Sequence, residues 1–169
     1  MRSNFFAYCC LAVAILFATN ISAERNKFPV EIDYSRTLAQ MIAAGKYYAA
    51  NVSIDDRFFH IQGEGKKKVV LEIVRFHWAI SGDEARSLIQ KRGLQPARLE
   101  HLLAFGAAYP LEQKKYSIVA LGTVWKSGKD KFTAFLYYGV KLRWLRLNWG
   151  VDEWEADFAF LAIGREEQN

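Results

Sequence analysis

The acidic residues of this chain gather once, at Asp152, Glu153, Glu155 and Asp157, and two tryptophans, Trp149 and Trp154, flank or stand among them. Carboxylates at this density suit three kinds of chemistry. They could coordinate a hard cation through oxygen ligands. They could act as acid and base on a glycosidic bond, although adjacent carboxylates in one loop seldom sit at the separation this needs. They could receive a basic partner. Against these stands a plain electrostatic role, the neutralisation of Lys141, Arg143 and Arg146 on a neighbouring strand. Tryptophan beside arginine and carboxylate suits stacking on a sugar face or capture of a peptide, because a large rigid ring loses little entropy when it is ordered. Core packing competes with that role for both rings. The ligand-binding candidates are therefore Trp149, Asp152, Trp154, Glu155, Arg143 and Arg146.

Elsewhere the sequence lacks the spacings that carry catalysis. His60, His77 and His101 form no H-x-x-x-H or H-E-x-x-H pair, so each reads as a hydrogen-bonded or surface histidine rather than a metal ligand. No serine lies in G-x-S-x-G, and no G-x-G-x-x-G or G-x-x-x-x-G-K-[ST] cradle is present. We expect no catalytic residue, no metal and no cofactor.

Composition bounds the setting. Residues 5–17 are nearly all apolar, Arg2 supplies a positive start, and Ile21-Ser22-Ala23 offers a small residue at a cut before Glu24. This is the pattern of a secretory signal peptide over residues 1–23. The apolar stretch falls short of the about 20 residues that cross a bilayer, so no stable membrane span is expected after its removal. Cys9 and Cys10, the only cysteines, leave with it, and the remaining chain must hold itself by packing without disulfides. Export to a periplasm or to the exterior is the expected localisation. The formal charge of +5 is mild, and the basic residues are scattered rather than gathered on a stripe, which argues against nucleic acid as a partner. A glycan or a protein is the expected partner class.

The elements that position the acidic and aromatic segment are legible to differing degrees. Residues 24–36 carry mixed charge and read as a linker or N-terminal arm. Residues 37–44 read as a helix with Thr37 as N-cap and Gly45 as its stop. Residues 47–62 are aromatic and ambiguous. Residues 68–78 read as a strand, with Glu72 and Arg75 placed near its end, paired, or on an edge. Ser81 and Glu84 have capping-box spacing before a helix with Ala85, Leu88 and Ile89 on one face, which Gly93 ends. Pro96 suits the first turn of the next helix, whose apolar face is Leu99, Leu102, Leu103 and Gly106. Residues 117–125 form an apolar run without alternation, the signature of a strand covered on both faces. A hairpin loop at 126–130, strands at 131–138 and 141–148, a loop at 149–155, a last strand at 157–163 and a polar tail at 165–169 complete the chain. Gly139 is the expected turn residue, and alternation sets Arg143 with Leu145 and Leu147, and Arg146 with Leu142 and Trp144.

The order of a strand, a helix with EA…L…G, QPARLEHLLAF, ALGTVW, a hairpin and W…D…FAFLAI resembles the C-type-lectin-like fold. It is closest in pattern to the bacterial forms related to formylglycine-generating enzymes and phage receptor-binding variable domains. Gln95-Pro96-Ala97-Arg98-Leu99 stands where that family turns into its second helix, and Phe158-Ala159-Phe160-Leu161-Ala162 where its last strand lies. The resemblance spans roughly residues 69–164. The stapling cysteines, the Glu-Pro-Asn calcium triplet and the copper-binding cysteines of the family are all absent, so it implies shape alone.

The expected fold is thus α+β, two or three helices packed on a twisted, mainly antiparallel sheet, in one domain over residues 37–164. The expected function is a non-catalytic exported binding or interaction domain that presents its aromatic and acidic C-terminal loop. Two other readings stand beside it: a carboxylate-dependent hydrolase of cell-wall or polysaccharide substrates, and a structural envelope protein without a small ligand.

Overall fold

The apolar run at 117–125 is the core of strand β6 (Ser117–Ser127), and alternate side chains of it enter two separate hydrophobic clusters. The computed structural model describes residues 26–149 and 153–164. The expected signal peptide, the polar tail and Asp152 lie outside these residues.

The described residues form an α+β fold of three helices and a mostly antiparallel sheet. In chain order the remaining elements are β1 (Lys27–Asp33), α1 (Leu38–Ala44), β2 (Ala49–Ala50), β3 (Lys66–Arg75), β4 (Ile80–Ser81), α2 (Gly82–Lys91), β5 (Gln95–Pro96) and α3 (Leu99–Ala108). A 3-10 turn (Glu112–Lys114), β6, β7 (Asp130–Gly139), β8 (Leu142–Trp149), β9 (Glu153–Trp154) and β10 (Phe158–Ile163) follow. The main sheet runs β1-β3-β10-β6-β7-β8-β2, with β5 added against β10, and β4 pairs with β9 apart from it. All pairings are antiparallel except β10 with β6 and β2 with β8.

Both faces of the central strands are covered, which is why their sequences do not alternate. Ile118 and Ala120 of β6, Ala159 and Leu161 of β10, and Leu71 and Ile73 of β3 pack in the cluster that holds α1 and α3 through Leu38, Met41, Leu99, Leu102, Leu103 and Phe105. Val119, Leu121, Phe160, Ala162 and Val74 enter the opposite cluster, with Ala85 and Ile89 of α2, Ile80 of β4 and Trp154 of β9.

The helix ends follow the capping chemistry. Thr37 Oγ1 accepts from Gln40 N while Gln40 Oε1 accepts from Thr37 N. Ser81 Oγ accepts from Glu84 N. Gly93 takes φ 77° just past α2, in the left-handed region that costs a glycine least.

Three expectations need correction. Residues 27–33 are not an arm: they are β1, paired with β3 along their whole length, with Phe28, Val30 and Ile32 buried. The period-2 pattern F-P-V-E-I was present, and Pro29 is tolerated because β1 is an edge strand that needs no ladder donor there. Pro96 does not open a helix. It pairs with Ala162 in β5, and the following Ala97 donates to Leu161 O (2.9 Å) and accepts from Gly122 N (2.8 Å). This crossing explains Gly122, where a Cβ would stand 2.5 Å from Pro96 O and 2.7 Å from Ala97 O. Finally, the turn between β7 and β8 places its positive φ angles on Val140 (52°) and Lys141 (63°) rather than on Gly139.

Candidate functional site

The structure separates the five described members of the group that the sequence assembled, Trp149, Trp154, Glu155, Arg143 and Arg146. Trp149 ends β8 and is 69% exposed, whereas Trp154 is 1% exposed. The residues read as one loop contain β9, whose pairing Ile80↔Trp154 turns the second ring inward. There it meets Phe135, Phe158 and Phe160 edge-on at 5.2–6.3 Å. Trp154 is a core residue and is withdrawn from the binding candidates.

Arg143 is likewise committed inside the molecule. Its Nε donates to Gln113 Oε1 (2.9 Å), Nη1 to Gly45 O (2.7 Å) and Nη2 to Gly106 O (2.5 Å), and the guanidinium lies over the Tyr47 ring. It ties β8 to the ends of α1 and α3. Arg146, on the other face as the alternation required, is exposed and lies over Tyr137. Glu153, Glu155 and Asp157 are exposed. Among the described residues no ion pair joins Glu153, Glu155 or Asp157 to Arg143 or Arg146.

Trp149 is the outer member of a row of rings. β6, β7 and β8 bring Trp125, Phe132 and Trp149 into neighbouring register. Trp125 stacks on Phe132 (4.4 Å), Phe132 meets Trp149 edge-on (5.7 Å), and Phe58 from the loop before β3 stacks on Trp125 (4.1 Å), with the Arg57 guanidinium 5.3 Å from the Phe58 ring centre. Cross-strand aromatic pairs of this kind hold a ring in place.

A second group of polar residues lies at the start of α3, where the sequence reads His101 as a hydrogen-bonded or surface histidine and does not single out Glu100. α3 is apolar except at its start, where Glu100 is 1% exposed and His101 6% exposed. His101 Nδ1 accepts from Arg98 N (3.3 Å), doing the work of the acid or amide in a capping box; the arginine, which has no acceptor, cannot return the bond. That bond places the ring proton on Nε2. Burial, reinforced by the Arg98 charge, holds His101 down at about 4. Glu100 Oε1 lies 2.9 Å from Arg98 Nε, in an ion pair too skewed to be a hydrogen bond, and Oε2 has no hydrogen-bond partner among the described residues. Burial pushes the Glu100 carboxyl above its ordinary value.

Two cavities adjoin this group. A groove of about 960 Å³ is lined by Tyr34, Lys67, Gln90, Gln95 and His101. A cleft of about 330 Å³ opens between β1, α1 and α3, lined by Glu100 and by Met41, Leu103 and Ala104. The available signal was the pair of polar residues, Glu100-His101, inside an otherwise apolar helix. His60 and His77 are exposed. Among the described residues no group of three or more His, Cys, Asp and Glu could hold a metal ion, and no helix is long and apolar enough to cross a membrane.

Comparison with known proteins finds no matching family, no matching curated protein and no matching solved structure.

Proposed function

We propose that this chain is an exported, non-catalytic binding domain whose contact surface is the sheet edge headed by Trp149. The observation that carries the reading is the state of that ring. It is 69% exposed, yet it is braced against Phe132, Trp125 and Phe58 in a continuous row. A ring held in position before a ligand arrives loses little freedom on binding, which is why tryptophan dominates contact surfaces. Exposed Glu153 and Glu155 follow in the chain and supply hydrogen-bond acceptors for sugar hydroxyls. A glycan is the ligand this combination suits best. Export is supported by the charged start and the apolar run at 5–17. A lectin-like shape for residues 69–164 belongs to the same proposal and is supported by the order helix, helix, long strand, hairpin, final strand.

The test is tryptophan fluorescence of the chain and its Trp149→Phe and Trp154→Phe variants, with a soluble quencher, in the presence of cell-wall glycans and peptidoglycan fragments. The expected result is a quencher-accessible contribution lost in Trp149→Phe and kept in Trp154→Phe, and protected by one of the glycans. A glycan that binds Trp149→Ala as tightly as the parent chain defeats the proposal.

A further inference from the structure

We infer that a cavity of about 310 Å³ at the end of β3 is a second binding site, which takes a singly charged carboxylate on an apolar stem, with the Arg75 guanidinium as its receptor. Arg75 is the last residue of β3 and leaves the strand on the same face as Leu71 and Ile73. Its guanidinium lies over the Tyr116 ring, 4.4 Å from the ring centre. Both residues line the cavity. The side chain is half-buried, and among the described residues it meets no carboxylate and makes no hydrogen bond. Only Nε is sealed in without a partner; Nη1 and Nη2, at the end of the fork, are not enclosed. These two nitrogens are the atoms that a ligand in the cavity reaches. Drawing a charge out of water is costly unless an opposite charge or hydrogen bonds replace the water. The ring face of Tyr116 compensates part of that cost, and it holds the guanidinium in place while its in-plane donors stay open.

Charge and shape in the cavity narrow the ligand. Glu112 and Lys115 of the neighbouring 3-10 turn also line it. They are spent on each other, since Lys115 Nζ donates to both Glu112 oxygens, at 2.7 and 2.9 Å. Arg75, Lys115 and Glu112 together leave one net positive charge. That suits a monoanion, whereas a phosphate dianion would carry a second negative charge towards Glu112. The parallel donors of Nη1 and Nη2 match the two oxygens of a planar carboxylate, in the bidentate arrangement that makes guanidinium its preferred partner. Phe28 and Ile73 form the apolar part of the wall and offer a stem surface but no side-chain hydrogen bond. An alcohol on the same stem lacks the charge, and an ammonium carries the wrong one. The volume of about 310 Å³ holds a stem the size of one aromatic ring. This site shares no residue with the row headed by Trp149.

The experiment is a ligand-observed NMR titration of the full-length chain with sodium benzoate, with benzyl alcohol, benzylammonium chloride and inorganic phosphate as competitors at matched ionic strength. Saturable binding of benzoate is expected, with no displacement by an equal concentration of any of the three. Arg75→Gln is expected to weaken it at least about tenfold, since a charge-assisted hydrogen bond exceeds a neutral one by that order. Glu112→Gln, which removes the repelling charge with Arg75 in place, is expected to tighten it about two- to fivefold, the range of an exposed charge pair. This second variant carries the test if Arg75→Gln does not fold. Trp149→Ala is expected to bind benzoate as the parent does. No saturable binding up to about 50 mM, far beyond a useful affinity, overturns the inference. Displacement by any of the competitors, unchanged binding in Arg75→Gln, unchanged or weaker binding in Glu112→Gln, or loss in Trp149→Ala overturns it as well.

Discussion

Arg143 ties three parts of the molecule together, because its three donating nitrogens are divided among Gln113, Gly45 and Gly106. Planar guanidinium geometry makes that possible, and an ammonium cannot imitate it. Arg143→Ala leaves three acceptors without their donor and should lower stability by about 2–4 kcal/mol, read as a shift of the urea midpoint. Arg143→Lys should recover only a minor part. Sequence reasoning placed Arg143 on the correct face of β8, beside Leu145 and Leu147, but assigned it to a ligand. Alternation tells which way a side chain leaves a strand; it says nothing of what waits there, and the acceptors come from residues 30 to 98 positions away.

His101 gives the pH response a sign. Its folded-state value of about 4 lies below the ordinary 6.5, so the unfolded chain binds a proton that the folded chain refuses. Stability from this group is complete above about pH 6.5 and is lost as pH falls towards about 4, by up to about 3 kcal/mol. Glu100, raised by burial, works in the opposite sense: its buried charge weighs on the fold as pH rises through its own titration. His101→Gln keeps an acceptor for Arg98 N–H and cannot titrate. Urea unfolding at pH 7 and pH 4.5 should show the loss in the parent and a much smaller one in the variant; equal losses would remove His101 as the cause. Nothing in the spacing of the three histidines singled this one out, because its value is set by burial and not by sequence neighbours.

The elements were more legible than the residues. Caps at Thr37 and Ser81, the stop at Gly93 and the two-faced strand β6 follow from local chemistry that a single sequence carries. Misreadings fell where a distant partner decides. Pro96 is as suited to a helix start as to an edge pairing, and only β10 makes the choice. Glu153–Trp154 becomes a strand because Ile80–Ser81 lies beside it. The β7–β8 turn is an element whose sequence opposes its geometry, since Val140 and Lys141 both take positive φ where Asn-Gly is favoured and a β-branched residue is strained. The double substitution Val140→Asn with Lys141→Gly should therefore stabilise the chain by about 1–2 kcal/mol, seen as a higher melting temperature. A lower one would mean that Val140 makes contacts worth more than its strain.

For the whole molecule, the α+β class was readable because helix-period and strand-period segments are cleanly separated after residue 66. The order of the strands was not, since it depends on which edges meet across long stretches of chain. That order puts β10 between β3 and β6, at the middle of the sheet, with Ala159 and Leu161 facing one cluster and Phe160 and Ala162 the other. Strands β1 and β3 on one side and β6, β7 and β8 on the other have no pairing to each other except through it. The strand that joins the two halves is thus the last of the described strands in chain order. Without residues 158–163, β3 and β6 each lack the partner on their inner edge, so the sheet cannot close before they are present. Position in the gene, through the topology, becomes a timer on folding.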